Sequence, residues 1–365
     1  MKLRIATFNV ENLFTRPAAM QDKIGAEGQA AINAHAELNN IIEKDVYSAA
    51  DKKRLLALDK VYKFSSLNQP KNALVKLNKV RGKLFATSGG KTSVAASGRA
   101  DWVGWFYLPA RDIQWMATYN TGRVIAETDA DIQICVEVED RPTLMRFNEQ
   151  VLDAEFGKRY PHIMVIDGND ERGIDVGIMS RFPIVQFVSH VDDLGTNEVP
   201  IFSRDCPEYA IELPGGRMIK ILPNHFKSKR GGDNASVQER RKAQAQRAHD
   251  IAKAALKQTD LVLIGGDLND NPDFDGFAPL WKDGFVDVSD HASYPKDRPG
   301  TYATGTAVNK IDYLIMSPKL RAKLVETGIE RRGTFHPKTW EPFDTVKGPA
   351  DEASDHHLVW AEFKL

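Results

Sequence analysis

Five short apolar runs, parted by turn-forming residues and helical spacers, decide most of what this chain can fold into. They are Leu3 to Val10, Ile132 to Val138, Asp175 to Met179, Leu261 to Ile264 and Ile311 to Met316. Their lengths suit buried strands rather than helices. Helical patterns lie between several of them. Arg141 to Phe156 repeats Leu144, Phe147, Val151, Leu152 and Phe156 at helical spacing, and Ser236 to Leu256 is a longer polar, Ala-rich helix. Thr121 to Val138 reads as a helix followed by a strand. Tyr209 to Phe226 reads instead as two strands joined by the Pro214, Gly215, Gly216 turn. Parallel-type and hairpin-type strands in one chain imply an α/β fold built on mixed sheets.

Polar clusters close these runs. Asn9 in TFNVEN, Glu137 in CVEVED, His225 in PNHFKSK, and Asp267 with Asn269 in IGGDLND each end a strand or enter the loop after it. Two further clusters follow, KIDYLI with Asp312 and SDHH with Asp355 and His356. Rigid strands carrying reactive side chains at their ends are how α/β enzymes hold a site.

The residue types point to phosphoester hydrolysis. Water must approach an anionic phosphorus against a barrier that enzymes lower by up to ~20 kcal/mol or more. General acids and bases supply only about 10² to 10⁴ of that rate, so charge neutralisation and positioning carry the rest. Glu137 is the expected primary metal ligand and Asp355 a second, since Mg²⁺ takes one or two carboxylates and keeps its other positions for water and phosphate. Asp267 and Asn269, two residues apart on a Gly-preceded turn, can orient the attacking water and take its proton. Asp312 can fix the tautomer of His356 by accepting a ring N–H. His225, with Lys227 and Lys229 nearby, can donate to a non-bridging phosphate oxygen.

Composition narrows the setting. Apolar residues make up 42% and charged residues 27%, so the chain reads as an ordinary folded protein. Lys plus Arg number 49 against 50 Asp plus Glu, so any attraction to a polyanion must be local. Two cysteines are too few for a disulfide framework, and Cys135 sits in an apolar run as a small buried hydrophobe. No secretory h-region opens the chain and no run approaches the ~20 apolar residues of a membrane span. A cytoplasmic enzyme without a transmembrane segment is the expectation.

Positions 15–110 interrupt the strand pattern with a polar, helix-like texture that ends in a Gly/Ser-rich stretch from Ser88 to Gly98. This segment reads as a helical insertion within a single catalytic domain spanning 1–365.

Taken together, the motifs resemble the endonuclease/exonuclease/phosphatase superfamily, which includes pancreatic-type deoxyribonucleases, abasic-site endonucleases, sphingomyelinases and inositol-polyphosphate phosphatases. The resemblance covers 1–14 and about 115–365, and NHFKSK, GDLND and NKIDYL are its most specific wording. It implies a four-layer sandwich of two mixed β-sheets flanked by helices, with the site at one end. It also implies Asn9 and Glu137 on the metal side, bound to Mg²⁺ or Mn²⁺, with His225, Asp267 and Asn269 gripping phosphate and water. Asp312, Asp355 and His356 resemble the terminal set, in which the His is proton shuttle or oxyanion donor. By the resemblance, Arg172 in GNDERGIDVGIMSR is a phosphate contact. Either Asp267 or the Asp312–His356 pair qualifies as the base. Val136 stands where many members carry Gln, and the insertion is not part of the common core.

Substrate class divides the readings. Lys227, Lys229 and Arg230, the run Arg240, Arg241, Lys242, and Lys76, Lys79, Arg81 and Lys83 can follow a nucleic acid backbone. The alternative is a small-molecule or lipid phosphoester, for which Trp102, Trp105, Phe106 and Tyr107 would supply an apolar rim, although such clusters more often pack inside. The PAWCDR-type motif of inositol-phosphate members is absent, and a nuclease is the preferred reading.

Overall fold

The computed structural model describes residues 1–13, 15–17, 25–66, 68–70, 73–112, 115–170, 172–196, 198–229 and 232–365. Contacts divide the chain into two units, Met1–Phe14 with Gln114–Leu365, and Thr15–Ile113.

The first unit is built on two six-stranded sheets. Across one, the strands run Leu324–Glu330, Leu358–Lys364, Lys2–Leu13, Ile132–Val138, Asp175–Ser180, His162–Ile166. Only the pairing of Lys2–Leu13 with Ile132–Val138 is parallel. Across the other, the order is Ile184–Val188, Glu208–Leu213, Arg217–His225, Val262–Asp267, Asp312–Met316, Val286–Asp287, with Arg217–His225 and Val262–Asp267 parallel. Both sheets are therefore mixed, as the sequence implies.

Alternation along each strand assigns its side chains to two layers. Ile5, Ile132, Ile134, Val136 and Ile178 point into a central core with Ile211, Ile219, Ile221, Leu263 and Leu314 of the facing sheet. Ala6, Phe8 and Cys135 point the other way, against Ile125, Leu144 and Val151. Those three belong to the helices Trp115–Thr128 and Arg141–Phe147 and to the π-helical continuation Asn148–Asp153. On the opposite flank, Leu222, Val262, Ile264 and Ile315 pack on Ala245, Ala248, Ile251 and Ala252 of the helix Ala235–Ala255. The result is helix, sheet, sheet, helix. Because the strands are covered on both faces, they read as unbroken apolar runs.

Local signals set the helix starts. Asp140 accepts from Thr143 N at 2.7 Å with Pro142 in the first turn, and Asn234 accepts from Val237 N at 3.1 Å.

The second unit has its own core, with Leu38, Leu55, Phe64, Leu77, Trp102 and Phe106 buried together. Two helices, Gly25–Ile42 and Ala49–Tyr62, carry the helix-like texture. A capping box starts the second, where Ser48 and Asp51 exchange backbone bonds. The remainder departs from a purely helical insertion. Lys76–Arg81 pairs with Val103–Tyr107, Thr15–Pro17 with Ala110–Asp112, and Phe85–Ser88 with Lys91–Val94 around the Gly89, Gly90 turn, where both glycines have positive φ. The Gly/Ser richness is hairpin chemistry, not linker.

Candidate active site

The two sheets bring the polar clusters together at one end. His225 pairs in register with Asp267, and Asp267 with Asp312, so three adjacent strands present these residues side by side on one face. Gly266 makes the approach possible. Its φ is +137° and a Cβ there would lie 1.9 Å from the Asn224 carbonyl oxygen, so no other residue fits.

Glu137 arrives by a different device. Its neighbours Val136 and Val138 pair with Asn9 and Leu13 on one side and with Val176 and Asp175 on the other, and Glu137 itself is skipped by both ladders. It is a bulged residue with φ 66°, and Glu11, in the matching irregularity of the opening strand, has φ 38°. Bulges re-aim side chains, and left-handed backbone at a non-glycine residue costs energy that the surrounding sheet supplies. Both carboxylates line one cavity of ≈ 1420 Å³ together with Arg172, Arg204, His225, Lys227, Lys229, Arg240, Asp267, Asn269, Tyr302, Asp355 and His356. Glu137 and Asp355, far apart in sequence, thus share a single hollow.

Asp267 is the hub. Its Oδ1 accepts from Asn269 N at 2.8 Å, and its Oδ2 accepts from the Asn269 and Asn9 side-chain amides at 3.1 and 3.3 Å. His225 Nε2 lies 3.6 Å and His356 Nε2 3.9 Å from the same oxygen. Burial pushes its carboxyl up to about 7 despite the nearby His356. Asn269, at φ 56°, spends its amide nitrogen on Asp267 and on the Phe226 carbonyl at 3.2 Å. Its amide oxygen is what remains for the cavity, an acceptor suited to a water rather than to a phosphate oxygen.

Behind the cavity, His356 Nδ1 lies 3.0 and 3.2 Å from the two Asp312 oxygens. Asp312 is fully buried, and Thr301 donates to it at 2.7 Å while accepting from its backbone N–H at 2.9 Å. Burial works against charge on His356, but the carboxylates of Asp312 and Asp267 prevail and hold its pKa up to about 10. His225 goes the other way. Burial, with Arg204, His356 and Arg172 adding positive charge, holds it well below the ordinary 6.5, so it is a neutral imidazole. Its Nε2 lies 3.7 Å from Glu137.

One wall is acidic and another cationic. Asp355 N donates to Glu11 Oε2 at 3.1 Å, and burial followed by the Asp355 charge pushes the Glu11 carboxyl up to about 7. In the same lining, Arg172 grips Asp170 through two bonds of 2.9 and 2.7 Å, and buried Arg204 meets the same carboxylate at 3.0 Å. Two guanidiniums sharing one carboxylate leave a net positive wall.

Asp267, Asp312 and His356 have ligand atoms within 4.8 Å of one another, yet this triad is a poor cation cradle. Asp312 is already committed to His356 and Thr301, and His356 to carrying a proton. The acidic wall of Glu11, Glu137 and Asp355, with the Asn9 amide oxygen bonded only to Glu11 N at 3.2 Å, fits a hard divalent ion better.

Several expectations are refined here. Arg241 does not face a polyanion: it is buried and pairs with Asp270 at 2.9 Å and with Asp233. Lys229 also pairs with Asp270, Lys242 lies 3.9 Å from Glu239, and Arg230 lies outside the described residues. Lys310 pairs with Asp287 at 3.1 Å and donates to the Asp312 carbonyl, not to its carboxylate. Trp102 and Phe106 belong to the core of the second unit, whereas Trp105 and Tyr107 are exposed. Sequence reasoning passed over Glu11, Thr301 and Arg204. Glu11 stood two residues from Asn9 in the same motif and was legible; Thr301 and Arg204 come from irregular loops with no periodic signal.

The sequence model of the Endonuclease/Exonuclease/phosphatase family matches residues 111–356. Among solved structures, TDP2 from C. elegans aligns with a TM-score of 0.49 at 18% identity over 68% of this chain and 69% of that one. An endonuclease/exonuclease/phosphatase from Beutenbergia cavernae DSM 12333 gives 0.49 at 19% identity over 68% and 66%. Beta toxin 275-280 from Staphylococcus aureus gives 0.47 at 19% over 69% and 94%. No curated protein matches.

Proposed function

This chain belongs to the endonuclease/exonuclease/phosphatase family, and from that premise we propose that it is a metal-dependent phosphodiester hydrolase whose substrate is a nucleic acid strand. The observation that carries the reading is one cavity lined both by acidic Glu11, Glu137 and Asp355 and by cationic Arg172, Arg204, Lys227 and Arg240, with Asp267 between neutral His225 and charged His356. Among the described residues its apolar lining is limited to Val308, Ile311 and the Tyr302 ring, which suits a polyanion better than an acyl chain.

Glu137, Glu11 and Asp355, with Asn9, are the residues to hold Mg²⁺ or Mn²⁺, which when bound supplies charge neutralisation at the phosphate. Arg172 and Arg204 hold the non-bridging oxygens, and His225, neutral, donates to one of them. Asp267, poised near neutral pH, takes the proton of a water that Asn269 orients. As the water oxygen bonds to phosphorus, the bond to the leaving oxygen breaks. His356, already carrying its proton, stabilises the charge that builds up. We take Asp267 as the base, because Asp312 and Asp267 favour the protonated form of His356, which then has no lone pair to offer. Asp312 and Thr301 position it. The region 15–110 is taken as an insertion within this catalytic domain.

Asp312→Asn should reduce kcat by about 10- to 1000-fold with KM little changed, because the group acts through the imidazole. It should also move the alkaline limb of the pH profile to lower pH, since His356 loses the charge that keeps it protonated. An unshifted profile would contradict the assignment.

Metal-free protein should lose stability between pH 6.5 and 8.5. Glu11 and Asp267 have raised pKa values near 7, so their contribution is full below their ordinary values near 4 and is lost as pH rises through about 7. His356 adds to the trend above its ordinary 6.5. His225 and His357, held below 6.5, oppose it only on the acid side of that value. Added Mg²⁺ should therefore raise Tm more at pH 8.5 than at 6.5. An equal gain at both would argue against a cation on the acidic wall.

The direct test is a panel of DNA, RNA, abasic duplex, sphingomyelin and inositol phosphates with Mg²⁺ or Mn²⁺. Nucleic acid cleavage should vanish on chelation, and kcat/KM should fall roughly 50- to 150-fold between 50 and 200 mM salt, as expected for about four phosphate contacts. Turnover of bis(p-nitrophenyl) phosphate with none of DNA or RNA would favour the small-molecule reading.

A further inference from the structure

The unit Thr15–Ile113 presents a second cationic surface that the chemistry of the cavity does not use. Between Lys76 and Lys91 the chain holds five basic residues, Lys76, Lys79, Arg81, Lys83 and Lys91, and no acidic one. None of the five has a carboxylate partner among the described residues, whereas Arg54 and Lys44 of the same unit are ion-paired.

Register shows how this charge is displayed. In the antiparallel ribbon of Lys76–Arg81 with Val103–Tyr107, Leu77 lies opposite Phe106, and both are buried in the unit's core. Residues directly opposite share a face, so the pairs Lys76–Tyr107 and Asn78–Trp105 lie on the other side. The register shift between Lys79 and Arg81 sets Arg81 opposite Val103 and so adds it to that same outer face. Trp105 is 46% exposed and Tyr107 38%, whereas Trp102 and Phe106 are buried and Tyr62 and Phe85 half-buried. The outer face is thus two adjacent rings flanked by two unpaired cations and an amide.

We propose that this ribbon is a binding platform for single-stranded nucleic acid, with bases stacked on Trp105 and Tyr107 and phosphates met by Lys76 and Arg81. Rings give affinity for any base and cations follow the backbone, which is the general pattern of single-strand recognition. A membrane surface is the less fitting occupant. Val80 is the one strongly exposed aliphatic residue of these two strands, and an interfacial surface needs a broader apolar cap than one aliphatic residue beside charges. The platform shares no residue with the cavity lining and stands whether or not the cavity cleaves nucleic acid.

The test is fluorescence anisotropy of labelled oligo-dT and oligo-U with the full chain in chelator, so that nothing is cleaved. Trp105→Ala/Tyr107→Ala should bind at least about tenfold more weakly, and Trp105→Phe/Tyr107→Phe should bind like the parent protein. Lys76→Ala/Arg81→Ala should flatten the salt dependence by about 1.4 in the log–log slope. All three pairs are exposed or half-buried, and a thermal melt checks the fold. Turnover of bis(p-nitrophenyl) phosphate should be the same in every variant, so failure of the platform and failure of the catalytic reading are told apart. Unchanged oligonucleotide affinity in Trp105→Ala/Tyr107→Ala overturns the proposal. So does loss of binding to phosphatidylserine vesicles with oligonucleotide binding retained, which would make the ribbon a lipid contact.

Discussion

Glu137→Gln is expected to lower kcat about 10³-fold or more and to raise the concentration of Mg²⁺ or Mn²⁺ needed for half-maximal activity at least about tenfold, while circular dichroism and Tm stay close to those of the parent. The substitution keeps shape and removes charge. A metal-held phosphate derives several kcal/mol of transition-state stabilisation from its ion, and each ~1.4 kcal/mol is a factor of ten. Displaced partners of a ligand alone cost metal sites about 10- to 100-fold in affinity, so loss of the ligand's charge should cost no less. Because Glu137 is skipped by both neighbouring strands, Gln breaks no ladder hydrogen bond. An unaltered metal requirement would remove Glu137 from the ligand set and leave Glu11 and Asp355 to carry it.

His356→Gln is expected to reduce kcat by about 10² to 10⁴ with the fold retained, which is the range a positioned proton donor supplies. Gln keeps a neutral donor in place of the imidazolium. His356→Ala should lose as much activity and some stability too, since Asp312 and Asp267 would then be buried without the cation between them. In the parent protein, activity should decline as pH rises through about 10, where His356 gives up its proton. Retention of turnover within tenfold in His356→Gln, with that alkaline decline intact, would transfer the charge-stabilising role to another group.

The legible parts of this fold were those governed by local pattern. Ile132–Val138 matches its apolar run to the residue, and Asp175–Ser180 extends its run by one, because strands covered on both faces have no polar alternation to blur their ends. His162–Ile166, Ile184–Val188 and Leu324–Glu330 were not foreseen. The first two carry no turn-bounded run of sufficient length, and all three lie at sheet edges, where Glu326 or Gln186 can face solvent. Leu358–Lys364 is central, but Glu362 interrupts its apolar run and is matched by Arg4 and Lys2 from the opposite end of the chain. No local reading contains that partnership. In the cavity, Asn9, His225 and Asp267 were found by the strand-end rule and Glu11 was within reach of it in the same motif as Asn9, whereas the importance of Arg204 follows from a shared Asp170.

The in-register row of His225, Asp267 and Asp312 has a further consequence. Their mutual spacing is that of the hydrogen-bond ladder itself, so the ordering cost of the reactive groups is met once, on folding, together with the central apolar core, and not again at each encounter with substrate. Thermal loss of this row should accordingly coincide with cooperative melting of the sheets that carry it.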